Sequence, residues 1–242
     1  MIYIVIPAYN EEENIGVLLE RIDKALKEKY LAVVVDDGST DKTDEIVEGM
    51  TSNYPIRCLH NVPNQGLGIT LHNGLKEAVK LSSGGDIIVT MDGDATHDPM
   101  YIDSMVKEIE NGADIVIASR FLPGAGERGL SGLRKFLSRG AGFLLRCAFP
   151  IKGLCDYTSG YRAFKAEIIK KAFQDFDDGF ITETGFSVTP EILIKLRRFK
   201  IEVKEIPFIL KYDAKKGSSK LNIPKTIVQY LKMIFKYKVR GF

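Results

Sequence analysis

Two aspartates separated by a single glycine follow an apolar run near the middle of the chain. Asp92 and Asp94 supply hard carboxylate oxygens of the kind that bind Mg²⁺ or Mn²⁺, and such a cation neutralises a diphosphate leaving group. An EF-hand is excluded because His97 would stand at the glycine position of that loop and Asp103 at its final glutamate position. The alternative is an acidic turn that caps a helix beginning near Pro99. The pair is therefore a candidate metal site.

Polar residues also follow the first two apolar runs. The segments are Pro7-Ala8-Tyr9-Asn10-Glu11 and Asp36-Asp37-Gly38-Ser39-Thr40. An acidic pair at the end of a strand accepts hydrogen bonds from a ribose or a nucleobase. Ser39, Thr40 or Asp41 fits a helix cap equally well. We favour a ligand-binding role for both segments.

Four arginines lie on or beside a glycine-rich segment, residues 121–132, and the basic amphipathic helix that follows it: Arg120, Arg128, Arg134 and Arg139. A guanidinium group can donate two hydrogen bonds to one phosphate, so the cluster fits a phosphate acceptor; solvated arginines on a helix face are the alternative. Residues 124–129 match a dinucleotide-binding pattern, but residues 144–150 hold no carboxylate, so that cofactor is excluded. The glycines instead predict a loop that moves over bound substrate.

The elements that position these residues alternate short β-branched strands with longer helical periods, which is typical of a doubly wound α/β sheet. The predicted strands cover residues 2–6, 31–35, 56–60, 86–91 and 114–118, and a later strand covers 201–210. In a mostly parallel sheet sandwiched by helices, ligands bind outside the carboxyl ends of the strands. A chain of 242 residues fits one such core.

The charge distribution indicates two kinds of partner. Residues 1–120 hold 10 Lys/Arg against 21 Asp/Glu, whereas residues 121–242 hold 24 against 11. An acidic half fits a cation and a basic half fits a phosphate or an anionic bilayer, with solvated charged faces as the alternative. No apolar run reaches the roughly 18 residues of a membrane span, and no signal peptide precedes the first strand. We therefore expect the protein on the cytosolic side.

Cysteines and histidines form no pattern of their own. The spacing of Cys58, Cys147 and Cys155 suits neither a disulfide framework nor a zinc cluster. The three histidines, at positions 60, 72 and 97, are scattered and have no serine or cysteine nucleophile motif nearby. We predict that they are structural.

The last predicted helix carries an apolar stripe opposite a basic face. The stripe consists of Ile223, Ile227, Tyr230, Leu231 and Ile234, and the basic side chains are Lys225, Lys232 and Lys236, with Lys238 and Arg240 beside the end of the stripe. The helix either packs its stripe on the core or lies on an anionic membrane surface.

Together the motifs resemble the inverting glycosyltransferases of family two, which have the fold called GT-A. The resemblance rests on Ile4 to Glu11, Val35 to Asp41 and Asp92 to Asp94. The chain is similar in particular to dolichol-phosphate mannose synthases and related polyprenyl-phosphate glycosyltransferases through Ser138 to Ala141, Asp156 to Phe164 and Gly217 to Leu221. The resemblance implies a GT-A catalytic domain over residues 1–222, followed over residues 223–242 by a C-terminal basic amphipathic helix.

The resemblance also implies roles for individual residues. Pro7, Tyr9, Glu11 and Asp37 would hold the nucleotide, Lys220 would contact the donor phosphates, and Asp92 and Asp94 would bind the metal on the donor diphosphate. On the acceptor side, Arg120, Arg139 and Ser138 would grip the lipid phosphate, and Arg134, Thr158 and Ser159 would bind substrate. Thr96 stands where the mannose synthases have a glutamine as a further metal ligand, which leaves the donor sugar and nucleotide open.

The implied reaction transfers a sugar, with mannose as the first expectation, from a nucleotide-diphosphate donor to dolichyl or polyprenyl phosphate with inversion. A phosphate acceptor is largely deprotonated at neutral pH, so it demands no strong general base. The alternatives are transfer of glucose or N-acetylglucosamine to the same lipid, and transfer to a glycan hydroxyl with Glu183 as the base. A noncatalytic binding subunit is disfavoured by the intact Asp92/Asp94 pair.

These implications also fix the expected cofactor and partners. We expect Mg²⁺ or Mn²⁺ as cofactor and a peripheral enzyme, limited to the catalytic domain, on the cytosolic face of a membrane. No nucleic-acid partner is expected, and a membrane-anchored partner subunit stays open.

Overall fold

The computed structural model describes residues 1–216 and 223–242, with every side chain in these ranges except those of residues 133, 134, 136, 223 and 224. The sequence motif Gly217 to Leu221 lies outside the described residues. The described chain forms a central sheet between two layers of helices.

Seven strands form the central sheet: β1 (Ile2–Ala8), β2 (Tyr30–Asp36), β3 (Ile56–His60), β4 (Ile87–Thr90), β5 (Ile115–Ser119), β7 (Arg162–Lys165) and β8 (Val203–Pro207). Their order is β3-β2-β1-β4-β7-β5-β8, and all neighbours pair in parallel except β7, which is antiparallel to β4 and β5. Two short strands, β6 (Gly126–Arg128) and β9 (Ile209–Lys211), form a separate parallel pair. The predicted α/β class with a mostly parallel sheet is confirmed.

In the described part of the chain, eight α-helices surround the sheet: α1 (Ile15–Ala25), α2 (Thr43–Met50), α3 (Leu67–Leu81), α4 (Ile102–Glu110), α5 (Gly132–Ala148), α6 (Ala166–Phe176), α7 (Val188–Leu196) and α8 (Ile223–Val239). Buried residues of α1, α2 and α4 pack on one face of the sheet, and those of α3, α6, α7 and α8 pack on the other. Because helices cover both faces, β1 and β2 are apolar and buried along nearly their whole length.

The antiparallel strand β7 has a direct consequence for the position of the site. The carboxyl ends of β1, β2, β4 and β5 lie at one edge of the sheet, and the amino end of β7 lies at that same edge. The loop before β7, residues 156–161, therefore joins the segments that follow the parallel strands.

Two sequence predictions on the second half of the chain are wrong in detail. The strand predicted over residues 201–210 is two strands in different sheets. Strand β8 ends at Pro207, because proline has no backbone N–H to donate to a neighbouring strand, and the fully buried Phe208 separates β8 from β9. The predicted loop over residues 121–132 contains the strand β6, which pairs in parallel with β9.

Helix α8 packs on the core with only part of the predicted stripe. Met233 and Tyr237 are fully buried, and Tyr230 and Ile234 pack against the same cluster. Leu231, by contrast, is 52% exposed, because it lies about 100° around the helix from Tyr230. The division of the chain at residue 222 stays a prediction. Within the described ranges, no helix combines the length and apolar character that crossing a bilayer requires.

Candidate active site

A cavity of about 650 Å³ lies at the edge of the sheet where β1, β2, β4 and β5 end. Its lining includes Tyr9, Asp37, Asp92, Arg120 and Thr158, which come from five different parts of the sequence. A volume of this size is typical of a pocket for a small-molecule ligand. The topology therefore brings most of the predicted site residues together.

The turn that carries the two aspartates is tightly constrained. A Cβ atom on Gly93 would lie 3.0 Å from the carbonyl oxygen of Pro7, so the turn approaches β1 more closely than a side chain comfortably allows. Asp94 Oδ1 accepts hydrogen bonds from the Thr96 amide at 3.2 Å and from the Thr96 hydroxyl at 2.7 Å. Both carboxylates line the pocket, and Thr96 holds one of them in place.

His97 supports the backbone of this turn. Its Nδ1 atom accepts a hydrogen bond of 3.0 Å from the Asp92 amide, and its ring stacks on Tyr161 with centroids 4.8 Å apart. The residue is only 3% exposed. His97 is part of the pocket wall and positions Asp92 from there.

A lysine that is remote in sequence neutralises part of the negative charge of Glu11, Asp92 and Asp94. Lys215 Nζ lies 2.9 Å from Asp94 Oδ2 and 3.6 Å from Glu11 Oε1. Burial alone would raise the pKa of Asp94, but the Lys215 ammonium lowers it below its usual value. For Asp92, removal from bulk water and the neighbouring Asp94 charge raise the pKa. The two carboxylates thus have different electrostatic surroundings.

The donor set fits a hard divalent cation. Two carboxylates converge on the pocket, and an ammonium group already occupies a cation position beside Asp94 and Glu11. Carboxylate oxygens in a partly water-accessible site are the ligands that Mg²⁺ and Mn²⁺ prefer. Asp92 and Asp94 would hold the ion, as the sequence predicts.

Asp37 organises the neighbouring loop. Its carboxylate accepts hydrogen bonds from the Asn61 side chain at 3.0 Å and from the backbone amides of Gln65 and Gly66 at 3.0 and 2.8 Å. Pro7, Tyr9, Glu11 and Asp37, the predicted nucleotide-binding residues, all line the pocket. Asp37 therefore fixes the backbone of the loop at Gln65 and Gly66. This structural role is independent of any contact that Asp37 makes to a ligand.

Arg120 is held by a buried ion pair. Its guanidinium donates to Asp156 Oδ2 at 2.8 Å and Oδ1 at 2.7 Å, and to the Thr158 hydroxyl at 2.6 Å. Glu127 Oε1 lies 3.5 Å from the same group. Burial opposes both charges, but their pairing raises the pKa of Arg120 and lowers that of Asp156. Arg120 is thus a fixed positive charge in the pocket wall.

The other predicted acceptor residues are placed unequally. Ser138, Thr158 and Ser159 line the pocket, and the Ser159 hydroxyl donates to the Ala118 carbonyl at 2.8 Å. Arg139 follows Ser138 on α5 and is exposed. The side chain of Arg134 and all of Lys220 lie outside the described residues, so their predicted roles stay predictions.

Several residues of the site are not evident from the sequence. Lys215 pairs with a carboxylate 121 residues earlier in the chain, and Lys225, Thr226 and Tyr230 of α8 form part of the pocket wall. Asp156 lies at the start of a segment that the sequence analysis selected, but its pairing with Arg120 depends on the antiparallel direction of β7.

Comparison with known proteins identifies the family. Residues 3–173 match the model of glycosyl transferase family 2, and the chain belongs to that family. It is 37% identical over 235 residues to a dolichol-phosphate mannosyltransferase of Pyrococcus furiosus, which covers 96% of this chain and 62% of the relative. It is 31% identical over 170 residues to a polyprenol monophosphomannose synthase of Mycolicibacterium smegmatis, covering 69% of this chain and 63% of the relative. The chain thus spans about three fifths of the length of these two relatives.

Solved structures establish the fold. Glucosyl-3-phosphoglycerate synthase from Mycobacterium tuberculosis, solved with Mn²⁺, uridine diphosphate and glucosyl-3-phosphoglycerate, superposes with a TM-score of 0.64 at 20% identity. The match covers 97% of this chain and 77% of that one. The same synthase has also been solved with Mg²⁺ and uridine diphosphate. The predicted GT-A fold is confirmed.

Proposed function

We propose that this protein transfers a hexosyl group, mannose in the first instance, from a nucleotide-diphosphate sugar to a dolichyl or polyprenyl phosphate. The observation that carries the proposal is the similarity to the dolichol-phosphate mannosyltransferase of Pyrococcus furiosus, which extends over 96% of this chain. The lining of the pocket supports it, because it combines acidic side chains with the fixed guanidinium of Arg120.

The acidic part of the pocket suits the donor. Asp92 and Asp94 would hold Mg²⁺ or Mn²⁺, which when bound neutralises charge on the diphosphate. Pro7, Tyr9 and Asp37 provide the adjoining surface for the nucleoside. The ordered turn and loop around these residues fix the orientation of the donor, which lowers the entropic cost of reaching the reactive geometry.

The part of the pocket around Arg120 suits an anionic acceptor. Arg120, Ser138 and Thr158 line this part, and the exposed Arg139 follows Ser138 on α5. In the reaction, an oxygen of the acceptor phosphate forms a bond to C1 of the sugar while the bond from C1 to the donor diphosphate breaks. The configuration at C1 inverts, and the nucleoside diphosphate leaves. The positive side chains hold the acceptor phosphate in line for this displacement.

The position of Glu183 favours phosphate over a hydroxyl as acceptor. A hydroxyl must lose its proton, whereas a phosphate monoester is largely ionised at neutral pH. Glu183, the carboxylate proposed for that task, forms an ion pair of 2.8 Å with Lys236 of α8 and accepts from the Ser187 hydroxyl at 3.0 Å. These contacts support a structural role for Glu183 within this proposal.

The exposed face of α8 supports contact with a membrane, where a polyprenyl phosphate resides. Val228, Leu231, Phe235 and Val239 are 50 to 73% exposed and fall on one side of the helix. Phe143 of the neighbouring α5 is also exposed, at 61%. Apolar side chains beside basic residues are typical of helices that lie in the interface of an anionic bilayer.

A donor panel with one lipid acceptor tests the proposal. The enzyme is incubated with mannose, glucose and N-acetylglucosamine linked to guanosine or uridine diphosphate, and transfer to polyprenyl phosphate is measured with Mg²⁺ and with excess chelator. We expect metal-dependent turnover that is fastest with a mannose donor. Polyprenol without the phosphate is the matched control and should accept nothing. Transfer to a glycan hydroxyl, with none to the lipid phosphate, would establish the alternative acceptor.

A further inference from the structure

A second group of potential metal ligands lies outside the pocket, where α2 packs beside the edge strand β3. Asp44 and Glu48 are one turn apart on α2, and Cys58 and His60 alternate on one side of β3. One ligand atom from each of the four residues lies within 4.8 Å of the others. Helix and strand periodicity thus direct two carboxylates, a thiol and an imidazole to one point.

The imidazole of His60 lies between the two carboxylates. Its Nδ1 atom is 3.1 Å from Asp44 Oδ1, and its Nε2 atom is 3.2 Å from Glu48 Oε1. A neutral imidazole carries one proton, so it can donate to only one of these oxygens. Asp44 Oδ1 is inaccessible to solvent and makes no hydrogen bond of good geometry. The cluster therefore has one more acceptor than a neutral imidazole can satisfy.

The surroundings of Cys58 show the same excess of negative charge. One carboxylate oxygen each of Asp44 and Glu48 lies within 4.8 Å of the Cys58 sulfur, so two negative charges lie beside the half-buried thiol. A field that disfavours a further anion favours a cation. Glu48 lies 3.2 Å from the imidazole and within 4.8 Å of the thiol, so the three groups already face a common point.

We propose that Glu48, Cys58 and His60 bind one Zn²⁺ ion, with Asp44 orienting the imidazole. Coordination through Nε2 leaves the imidazole proton on Nδ1, 3.1 Å from Asp44 Oδ1, and a small rotation of the half-exposed Asp44 side chain would align this oxygen as its acceptor. The thiol binds as the thiolate and its proton passes to solvent. A water molecule would complete a four-coordinate ion.

The ligand set selects a zinc-like ion over Mg²⁺ or Ca²⁺. Thiolate and imidazole are ligands of Zn²⁺, whereas Mg²⁺ and Ca²⁺ take oxygen ligands only. Neighbouring ligands of a tetrahedral Zn²⁺ lie about 3.3–3.6 Å apart for its usual bond lengths, close to the 3.2 Å between Glu48 and His60. The side chains of Asp44, Glu48 and His60 are 40 to 52% exposed, so they can adjust without disturbing the core. The bound ion would tie the edge strand β3 to α2.

Metal binding is best measured in a protein whose other carboxylate pair is disabled. In the Asp92→Asn/Asp94→Asn background, Zn²⁺ stoichiometry and the melting temperature are measured, and Co²⁺ is used as a spectroscopic probe of thiolate coordination. We expect one Zn²⁺ per chain, a rise in Tm of about 5 °C or more at a hundredfold excess over Kd, and a cobalt–thiolate absorption band. Cys58→Ser should abolish the band, and His60→Ala should abolish tight binding.

Matched variants make each result decisive. Cys147→Ser removes an exposed thiol elsewhere and should leave the band and the stoichiometry unchanged. His60→Ala should melt at the same temperature as its parent without added metal, which shows that its fold is intact. An equal rise in Tm with Mg²⁺ or Ca²⁺, or unaltered Zn²⁺ binding in Cys58→Ser and His60→Ala, would overturn the proposal. Failure of the Asp92→Asn/Asp94→Asn parent to bind one Zn²⁺ ion per chain would also overturn the proposal.

Discussion

At the scale of single residues, the candidate site consists of charges whose partners come from distant parts of the chain. Asp94 pairs with Lys215, and Arg120 pairs with Asp156. Asp94, Lys215 and Arg120 line the pocket, whereas Asp156 is fully buried and fixes the charge of Arg120. The pairs therefore separate the effect of a substitution on chemistry from its effect on folding.

Asp94→Asn should lower kcat by at least about a hundredfold, because it weakens the binding of the metal that neutralises the leaving diphosphate. The melting temperature should change little, since the carboxylate lies at the pocket rather than in the core. Asp98→Asn is the matched control: Asp98 lies four residues later and pairs with Arg21 and Lys211. It should retain turnover. Full activity of the wild type in excess chelator would contradict the prediction.

Arg139→Ala should raise the KM for polyprenyl phosphate several-fold and leave the KM for the donor nearly unchanged. Its guanidinium is exposed on α5 next to Ser138, which lines the pocket. Arg146→Ala removes an exposed arginine two turns further along the same helix and serves as control. Steady-state kinetics with each substrate varied in turn provide the measurement. An equal loss of donor affinity would move Arg139 to the donor side.

Asp156→Asn should destabilise the protein by about 3–5 kcal/mol at pH 7, since it removes the carboxylate charge that makes the shortest ion pair with the buried Arg120. The Arg120 guanidinium holds the folded-state pKa of Asp156 below its ordinary value of 3.8 despite burial. The ion pair therefore contributes fully above pH 3.8 and loses its contribution as the pH falls through the folded-state pKa. Urea unfolding of both proteins should show a constant difference from pH 7 to 5 that narrows below pH 3.8. A difference that widens in acid would refute this account.

At the scale of elements, the sequence predicted the parallel half of the sheet well and the remainder less well. β1, β2 and β4 are continuous apolar runs, and the spacing of the two aspartates after β4 indicates the site. Strand β7 was missed because Arg162–Lys165 is only four residues long and begins and ends with a basic residue. Its direction brings Asp156 and Thr158 to the site, so their pairing with Arg120 required the tertiary structure.

Helix α8 offers a test of the acceptor, because Lys236 connects it to Glu183. Glu183→Gln and Lys236→Met both break this ion pair, but only the first removes a potential general base. With a phosphate acceptor, the two variants should keep similar and substantial activity at saturating substrates. With a hydroxyl acceptor, Glu183→Gln alone should lose about 10²–10⁴-fold. Comparing the two kcat values therefore separates a structural role from a catalytic one.

At the scale of the whole molecule, the two helical layers present different surfaces. The layer with α5 and α8 exposes Leu231 and Phe235 together with Lys232 and Lys238, whereas α1 in the opposite layer exposes the single apolar Val17 among polar residues. Because α8 also supplies Met233 and Tyr237 to the core, deleting the helix would unfold the protein rather than test its surface. Substitution of the exposed residues separates the two roles of the helix.

Phe235→Ser/Val239→Ser should reduce co-sedimentation with anionic vesicles by about tenfold or more, because each buried apolar side chain contributes about 1.5–3 kcal/mol when fully removed from water. High salt should weaken binding of the wild type further, since each basic residue near an anionic surface adds up to about 1 kcal/mol. Both substituted residues are more than 70% exposed, so Tm should stay constant. Val17→Ser, on the opposite layer, should sediment like the wild type. Activity on full-length polyprenyl phosphate in vesicles should fall in the double variant, while activity on a short, water-soluble analogue should persist. Unchanged sedimentation of the double variant at both salt concentrations would show that the membrane contact lies on another surface or does not exist.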